Sequence, residues 1–584
     1  MGSGGPGLHA GGPSQEAATL LASILISLTR EVNDSAPVDC EMGKWGEWSE
    51  CDPCTEKKYR SRSIVRFGQF GGARCLSHLG EAQRCKADKP CEENRTDCGN
   101  DFECETGRCI KQQLVCNEDN DCGDYSDEVC DDKDPKPVCR NMDIELSEIG
   151  RTAGDGVNIL GMETRGNPFD NEYFNGICNR VRDGNTKLYY RTPWNAAALV
   201  YQTKADKSFS TETFKNSVEL MSKVIREKTE HFEASFSLKL TPTELNDNKG
   251  NVSIGVKHFN NATLNKLKEL SNIENKSFMR ITGTVQLANF QMRTRNYMLS
   301  NSFIDDIKSL PSSYEKGEYF SLLEMYGTHY TVSGSVGGKY DLVYILDTAS
   351  LTSNEITTAD VKSCLGYNVG VNLAAEGVKG NLNIDGSNCE KVLTNNKETA
   401  ERSGVIDNVV SLIEGGTVAF AAKLDAKLLQ NKLIDIDDFV DWSSSLLDAP
   451  VLIKQKPSPI YTLVPIDLKD AYKKSRNLER AIEEYINEYS TCKCQPCKNG
   501  GTVMVVDGEC LCKCPERFKG LACQIPKSEL YKNPSDAING SWGCWEDSSS
   551  CVAEEKNQTR KCEHPAPSSG GEFCRGDSIR KVIC

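Results

Sequence analysis

Residues 318–344 read EYFSLLEMYGTHYTVSGSVGGKYDLVY: a helix-like run, a glycine break and a glycine-studded strand in succession. The helix-like part runs from Glu318 to Met325 and closes on Tyr326-Gly327-Thr328-His329-Tyr330, with six residues between Tyr319 and Tyr326. Gly334, Gly337 and Gly338 mark the passage into the strand, where a missing Cβ permits bending that other residues resist. A second pair, Gly415 and Gly416, follows another apolar stretch at 406–413. The histidines are His9, His78, His231, His258, His329 and His564, and none sits in a His-Glu-X-X-His motif. Neither a nucleophile elbow nor a phosphate-binding Gly-Lys-Ser/Thr loop is present. His329 is therefore read as a packed or hydrogen-bonding residue, and the chain is expected not to be an enzyme.

Outward from this stretch, the cysteines divide the chain. Twelve of the 28 lie between Cys40 and Cys130 and twelve between Cys492 and Cys584, which leaves Cys139, Cys178, Cys364 and Cys389 in the long middle. Small modules that cannot build a large core need covalent staples, and a large domain does not. The expectation is one large domain flanked by disulfide modules, made for an oxidising compartment. Cys139 with Cys178 and Cys364 with Cys389 are the natural pairings of the middle part. Sequons at Asn33, Asn94, Asn251, Asn261, Asn275, Asn539 and Asn557 fit secretion. The short apolar segment AATLLASILISL at 17–28 reads as a signal-peptide core. No run is long and apolar enough for a transmembrane helix, which needs about 20 residues. A net charge of −15 argues against nucleic acid as a main partner.

The flanking modules carry their own patterns. Trp45, Trp48 and Cys51 form a Trp-X-X-Trp-X-X-Cys array, and Arg60 and Arg62 follow at period two. Alternate residues of a strand share a face, so both guanidinium groups can slot between indole rings, each contact worth about 0.5–2 kcal/mol. This segment resembles a thrombospondin type 1 repeat, which implies C-linked mannose on Trp45 and Trp48. Six further cysteines at 98–130 enclose the acidic run CNEDNDCGDYSDEVC. Carboxylates packed this closely repel unless a cation sits among them, and oxygen ligands suit Ca2+. The run resembles an LDL-receptor class A module. That resemblance implies a structural Ca2+ held by the side chains of Asn117, Asp121, Asp127 and Glu128, with Leu114 and Asp119 offering backbone carbonyls. Removing the ion should loosen the module.

Residues 131–138, DDKDPKPV, read as a linker. Beyond the large domain, SRNLERAIEEYINEY at 475–489 is an amphipathic helix with Leu478, Ile482, Tyr485 and Tyr489 on one face. The six cysteines from Cys494 to Cys523 resemble an EGF-like module without the acidic leader that binds calcium. Residues 541–584, with Trp542 and Trp545, resemble a degenerate second thrombospondin repeat. That repeat holds five cysteines, so Cys492 is expected to pair into it.

Two segments of the middle alternate strictly. Phe232, Ala234, Phe236, Leu238 and Leu240 alternate with polar residues, and Ile281, Gly283, Val285, Leu287 and Phe290 mark the expected return. Val369, Val371 and Leu373 alternate with Asn368, Gly370 and Asn372, and Val378, Gly380, Leu382 and Ile384 follow. On periodicity alone, half-buried strands of an ordinary sheet account for this. The 319–330 signature in its glycine context, however, resembles the membrane-attack-complex/perforin (MACPF) domain. That resemblance implies a central α+β domain: a bent four-stranded antiparallel sheet with two flanking helical clusters, at about 210–290 and 365–412, that refold into amphipathic β-hairpins. A membrane β-strand needs about 9–11 such residues. The signature would support the bend, with Gly334, Gly337, Gly338, Gly415 and Gly416 as hinge glycines. Asn251, Asn261 and Asn275 are glycosylation candidates in the first cluster, where a glycan must lie near a hairpin tip or outside the bilayer.

The full order is an N-terminal segment (1–30), thrombospondin repeat (39–92), LDL-receptor class A (96–131), MACPF (135–490), EGF-like (491–525) and thrombospondin repeat (538–584). This multidomain order resembles the terminal complement proteins. The implied function is pore formation: a secreted, soluble monomer joins earlier terminal complement components on a target membrane, polymerises into a ring and inserts into the lipid bilayer. A single hairpin cannot span lipid, because its edge N–H and C=O groups would be unpaired. Head-to-tail neighbours pair those edges and a closed ring removes them. Two alternatives stay open: a family member that inserts without polymerising freely, and a secreted adhesion mosaic, which has no use for the alternating segments.

Overall fold

The computed structural model describes residues 36–91, 97–130, 135–205, 210–215, 276–364, 405–431, 436–527 and 540–583, less isolated positions, with short pieces at 220–227 and 255–256. Extended segments of the middle domain build one large sheet among the described residues. Its strands are β1 (Gly156–Asn158), β2 (Glu163–Arg165), β3 (Ala196–Ala205), β4 (Ser210–Phe214), β5 (Lys276–Met292), β6 (His329–Asp347), β7 (Ile406–Ser411) and β8 (Val451–Pro459). The helices that position the site are α1 (Asn301–Ser309), α2 (Lys316–Tyr326), α3 (Thr348–Ser353), α4 (Thr358–Cys364), α5 (Val418–Asn431), α6 (Ile436–Ser445) and α7 (Ala471–Glu488).

The centre of the sheet is the antiparallel pair β5–β6, in register from Lys276 opposite Asp347 to Gln291 opposite Ser333. β3 and β4 both pair with β5, and β7 and β8 both pair with β6. Among the described residues the sheet therefore has eight strands where four are expected, because each outer lane is broken into pieces and β1 and β2 are added beside β6. Register shifts lie between Gln286 and Ala288 on β5 and between Ser335 and Val336 on β6. Such a bulge bends a strand and adds twist. It also explains a change of parity: Met279, Ile281, Val285 and Leu287 face the main core before the bulge, and Ala288, Phe290 and Met292 after it.

Ile281, Val285, Leu287 and Phe290 are thus core residues of β5, not the return strand of a refolding hairpin. Their alternation is real, but it serves the sheet. The main core is completed by Tyr319, Phe320, Leu322 and Leu323 of α2, Phe303 and Ile307 of α1, and the apolar face of α7. Leu478, Ile482, Tyr485 and Tyr489 are all buried there, as their spacing requires. Ser300 caps α1 by accepting a bond from the Phe303 N–H, and Gly327 ends α2 at φ +83°.

The modules at both ends are stapled. Cys40–Cys75, Cys51–Cys85 and Cys54–Cys91 hold the first, and Cys98–Cys109, Cys104–Cys122 and Cys116–Cys130 the second. Cys494–Cys510, Cys497–Cys512 and Cys514–Cys523 hold the segment after α7. Cys492 pairs with Cys544, as expected, and so ties the last module to the end of α7. Cys139–Cys178 closes the start of the large domain, while the Cys364–Cys389 pairing lies outside the described residues. In the first module the Arg60 guanidinium lies 5.0 Å from the Trp45 ring and 4.5 Å from Trp48, and Arg62 lies 4.3 Å from Trp45. The last module repeats the device, with Arg560 between Trp542 and Trp545 at 4.4 and 4.3 Å. Residues 1–35, including the apolar segment, lie outside the described residues.

Candidate functional site

At one end of the sheet, β4, β5, β6 and β7 lie side by side, each antiparallel to the next. Phe214 faces Phe278, Lys276 faces Asp347, and Leu346 faces Ile406. The segments 215–275 and 348–405 both leave from this end, and each joins two neighbouring antiparallel strands. The described parts of these connections include α3 and α4 in the second, and in the first helical residues at 220, 223–224 and 227 and the short strand Gly255–Val256, which pairs in parallel with Val505–Val506. Phe232, Ala234, Phe236, Leu238 and Leu240, Val369, Val371 and Leu373, and the sequons Asn251, Asn261 and Asn275 lie outside the described residues.

The first connection is tied to the sheet by a small apolar cluster and a buried ion network. Leu220 and Val224 pack on Phe278, Val343, Ile345 and Leu412. Beside them Arg280, fully buried on β5, donates from Nε to both Asp341 oxygens at 2.9 Å and from Nη2 to Oδ2 at 2.6 Å. The same guanidinium donates to both Glu227 oxygens at 3.0 and 2.7 Å, and the Lys339 ammonium donates to Glu227 at 2.9 Å. Glu212 stands 3.5 Å from Arg280. Burial alone would raise the Glu227 pKa, but the Arg280 hydrogen bonds and the Lys339 charge hold it down to about 2. None of these partners was singled out from sequence. The available signal was charge at the wrong parity: Lys339 and Asp341 share a face with Val343 and Ile345, and Arg280 with Phe278.

The signature residues meet at the junction of α2, β1 and β6. The Tyr319 hydroxyl donates to the Pro311 carbonyl at 2.8 Å and accepts from Asn477 on α7 at 3.0 Å. The Tyr326 hydroxyl donates to Asp306 on α1 at 2.7 Å. A Cβ on Gly327 would lie 2.6 Å from the Val157 backbone, so only glycine lets the chain pass here. The Thr328 hydroxyl oxygen accepts from the Ile159 N–H at 3.0 Å and lies 2.8 Å from His329 Nδ1. His329 is buried, and burial lowers its pKa to about 3, so the ring is neutral at physiological pH. Tyr330 sets its ring edge-on to Phe169.

The hinge glycines form a seat for α6. A Cβ at Gly337 would meet the Val285 carbonyl at 1.9 Å, and one at Gly338 would meet Leu446 and Trp442 at 2.4 and 2.7 Å. Gly415 and Gly416 adopt φ +84° and +89° against the same two side chains. Trp442, fully buried, donates its indole N–H to the Gly415 carbonyl at 2.9 Å. Gly334 sits where β5, β6 and β8 crowd, its Cβ position 2.8 Å from the Lys454 carbonyl.

In the acidic loop the carboxylates take backbone N–H groups as partners. Glu128 accepts from the Asn117 and Glu118 N–H groups at 3.0 and 2.9 Å, and Asp127 from the Asp121 N–H at 2.9 Å. Asn117 donates to one Asp121 oxygen at 2.8 Å, while the other oxygen, Oδ1, is buried and has no hydrogen-bond partner. Burial and the neighbouring carboxylates push the Asp121 pKa up to about 7, and those of Asp127 and Glu128 rise for the same first reason. An orphaned buried carboxylate oxygen among raised carboxylates is what a cation would relieve, so the donor set fits Ca2+. Cys122, close to Asp124 and Asp127, is committed to its disulfide with Cys104 and offers no thiolate. Asp119 turns its carboxylate away, to Arg191.

Comparison with known proteins matches two family profiles and several complement components. The MAC/Perforin domain profile matches residues 149–495, and the Low-density lipoprotein receptor domain class A profile matches 96–132. Complement component C9 of Oncorhynchus mykiss is 40% identical over 565 residues, covering 94% of this chain and 97% of its own. Complement component C8 beta chain of Mus musculus is 30% identical, covering 94% and 90%. Complement component C7 of Pongo abelii is 32% identical over 94% of this chain and 62% of its own.

Proposed function

The chain belongs to the MAC/perforin family, and from that premise we propose that it is a pore-forming terminal component of the complement membrane attack complex. The observation that carries this is the match, nearly end to end, to a ninth-component sequence at 40% identity. The eighth-component type of chain is the weaker reading, at 30% identity. In our reading the protein is secreted as a glycosylated monomer, is recruited to earlier complement components on a target membrane, and polymerises.

The topology supports the refolding step. Each of the connections 215–275 and 348–405 links adjacent antiparallel strands, so turning it into a hairpin only lengthens β4–β5 and β6–β7. β4, β5, β6 and β7 keep their partners, while Gly255–Val256 in the first connection would leave Val505–Val506. Each connection is far longer than the roughly 20 residues that two membrane-crossing strands need. Seen this way the sheet is four lanes wide, bent at its bulges, and continuous with a β-barrel. The segments with Phe232–Leu240 and Val369–Leu373 would set apolar side chains toward lipid and polar ones toward the lumen. The hinge glycines let α6 lie directly on the bend, and moving α6 off that seat would free the sheet to straighten. Lateral pairing of neighbouring subunits satisfies the outer lanes, which couples insertion to assembly.

The flanking modules are read as two thrombospondin repeats, with C-mannose on Trp45 and Trp48, an LDL-receptor class A module and an EGF-like module. The acidic loop is proposed to hold one Ca2+ through Asn117, Asp121, Asp127 and Glu128, with carbonyls from Leu114 and Asp119. The ion supplies charge that balances the buried carboxylates, and it has no part in any chemical step.

Adding the protein back to matched-species serum depleted of the ninth component tests the reading. Restored lysis of antibody-coated erythrocytes, with ring-shaped polymers by negative stain, is the expected result. Rescue only in serum lacking the eighth component would move the chain to that role. Silence in both from a folded monomer would favour an adhesion mosaic.

A further inference from the structure

The acidic loop does not stand alone, because the large domain holds it at several consecutive points. Arg191, on the strand Tyr189–Arg191, grips the Asp119 carboxylate with both Nη atoms. Arg108 donates to the Asp121 carbonyl at 2.9 Å and, with the same guanidinium, to Asp170 at 2.9 Å and the Leu299 carbonyl at 3.0 Å. Asn301 donates to the Cys122 carbonyl at 2.9 Å. Leu114 packs in one cluster with Tyr173, Trp194 and Met298.

Arg191 is itself fixed. Its guanidinium lies 3.8 Å from the centre of the Phe174 ring, and Nη2 also donates to the Ile177 carbonyl at 3.4 Å. The strand is braced antiparallel, Arg191 opposite Arg180, and the Cys139–Cys178 bridge closes the same region. Taking the Asp119 carboxylate out of reach leaves the Asp119 backbone as that residue's contribution to the loop.

We propose that Arg191 of the large domain is a positioning residue for the calcium loop, so that ion binding and docking of the module on the domain are one linked equilibrium. This rests on the calcium reading above. Linkage is reciprocal: if docking raises affinity for the ion, the ion tightens docking by the same factor. Partners outside the first coordination sphere typically govern about 10–100-fold in metal affinity. Charge alone predicts the opposite sign. An arginine near a cation site repels the cation, so removing it should tighten binding.

The test is Ca2+ affinity of the full chain, by competition with a fluorescent chelator, for wild type, Arg191→Met and Arg191→Lys. Methionine keeps a long side chain over Phe174, and lysine keeps the charge but loses the two-pronged grip. Both variants are expected to bind Ca2+ at least about tenfold more weakly. Hydrogen exchange should show residues 180–191 and 297–301 of wild type more protected in Ca2+ than in EDTA, an effect lost in both variants. Affinities within twofold of wild type, or tighter binding by Arg191→Met, would overturn the proposal. So would exchange at 180–191 that ignores Ca2+ in a wild type that binds it. No Ca2+ binding by wild type would instead sink the calcium reading itself, and the exchange data would show which of the two had failed.

Discussion

The two connections that leave the end of the sheet are held down by different forces. The first is tied by Glu227 to Arg280 and Lys339, over a small apolar cluster around Leu220 and Val224. The second buries Ile356 and Val361 in the main core and has Asp347 bonded to the Ser350 N–H at its root. When the first lets go, Arg280 still has Asp341 at 2.6 Å and Glu212 at 3.5 Å, so its charge is not stranded. When the second lets go, apolar side chains are uncovered and must find lipid or another subunit. One attachment can be exchanged within the sheet, and the other needs a new environment. A monomer that must stay closed in solution and open on a membrane gains from having both.

Breaking the sheet's half of the ion network should have the largest effect. Arg280→Met leaves Lys339 as the cation between Glu227, at 2.9 Å, and Asp341, at 3.8 Å. A loss of about 3–5 kcal/mol is expected in chemical unfolding, since Asp341 is buried and loses its hydrogen-bonded guanidinium. Next come the apolar anchors. Ile356→Ala should cost about 2–4 kcal/mol by emptying part of the main core, and Leu220→Ala about 2 kcal/mol, because its cluster is small enough to collapse. Equal losses from these two would erase the contrast drawn here. Glu227→Gln removes one partner whose role others can fill, so about 1–2 kcal/mol is expected, together with faster polymerisation on lipid vesicles. Unchanged polymerisation would separate this attachment from the opening step.

Acid offers the finest distinction. The Glu227 pKa lies below its ordinary 4.5, at about 2, so its contribution is complete above about 4.5 and is lost as pH falls through about 2. Asp347 is also held near 2, by Lys276 and the Ser350 N–H, and its contribution, complete above about 3.8, is lost as pH falls through about 2. The Glu227→Gln variant isolates the first connection: its stability should fall less than that of wild type between pH 4.5 and 2. Parallel curves for the two proteins would mean that Glu227 is not the acid-sensitive tie.

Much of this was legible in the sequence, for local reasons. Periodicity gave α7 and its buried face, the Trp–Arg stacks follow from period two on a strand, and the odd cysteine count pointed Cys492 to the last module. The acidic run of 116–130 pointed to an LDL-receptor class A module, which the matching profile supports. What the sequence hid was long-range. The Arg280–Glu227–Asp341 network joins three separate segments, and only the parity of a few charges hinted at it. Arg191 lies outside the calcium module and gives no local sign of its grip on Asp119. The alternation at 281–290 was misassigned because a period of two cannot say whether a strand is fixed in a sheet or able to move.

The central claim is that the connection 215–275 becomes a membrane-spanning hairpin on assembly. An environment-sensitive fluorescent amino acid, placed singly at each position from Ala234 to Leu238 in polymers formed on vesicles, tests it most directly. The account predicts alternation: a lipid-like signal at Ala234, Phe236 and Leu238, and a water-like signal at Ser235 and Ser237, all absent from the monomer. A uniform signal along these five positions in lytic polymers would contradict it.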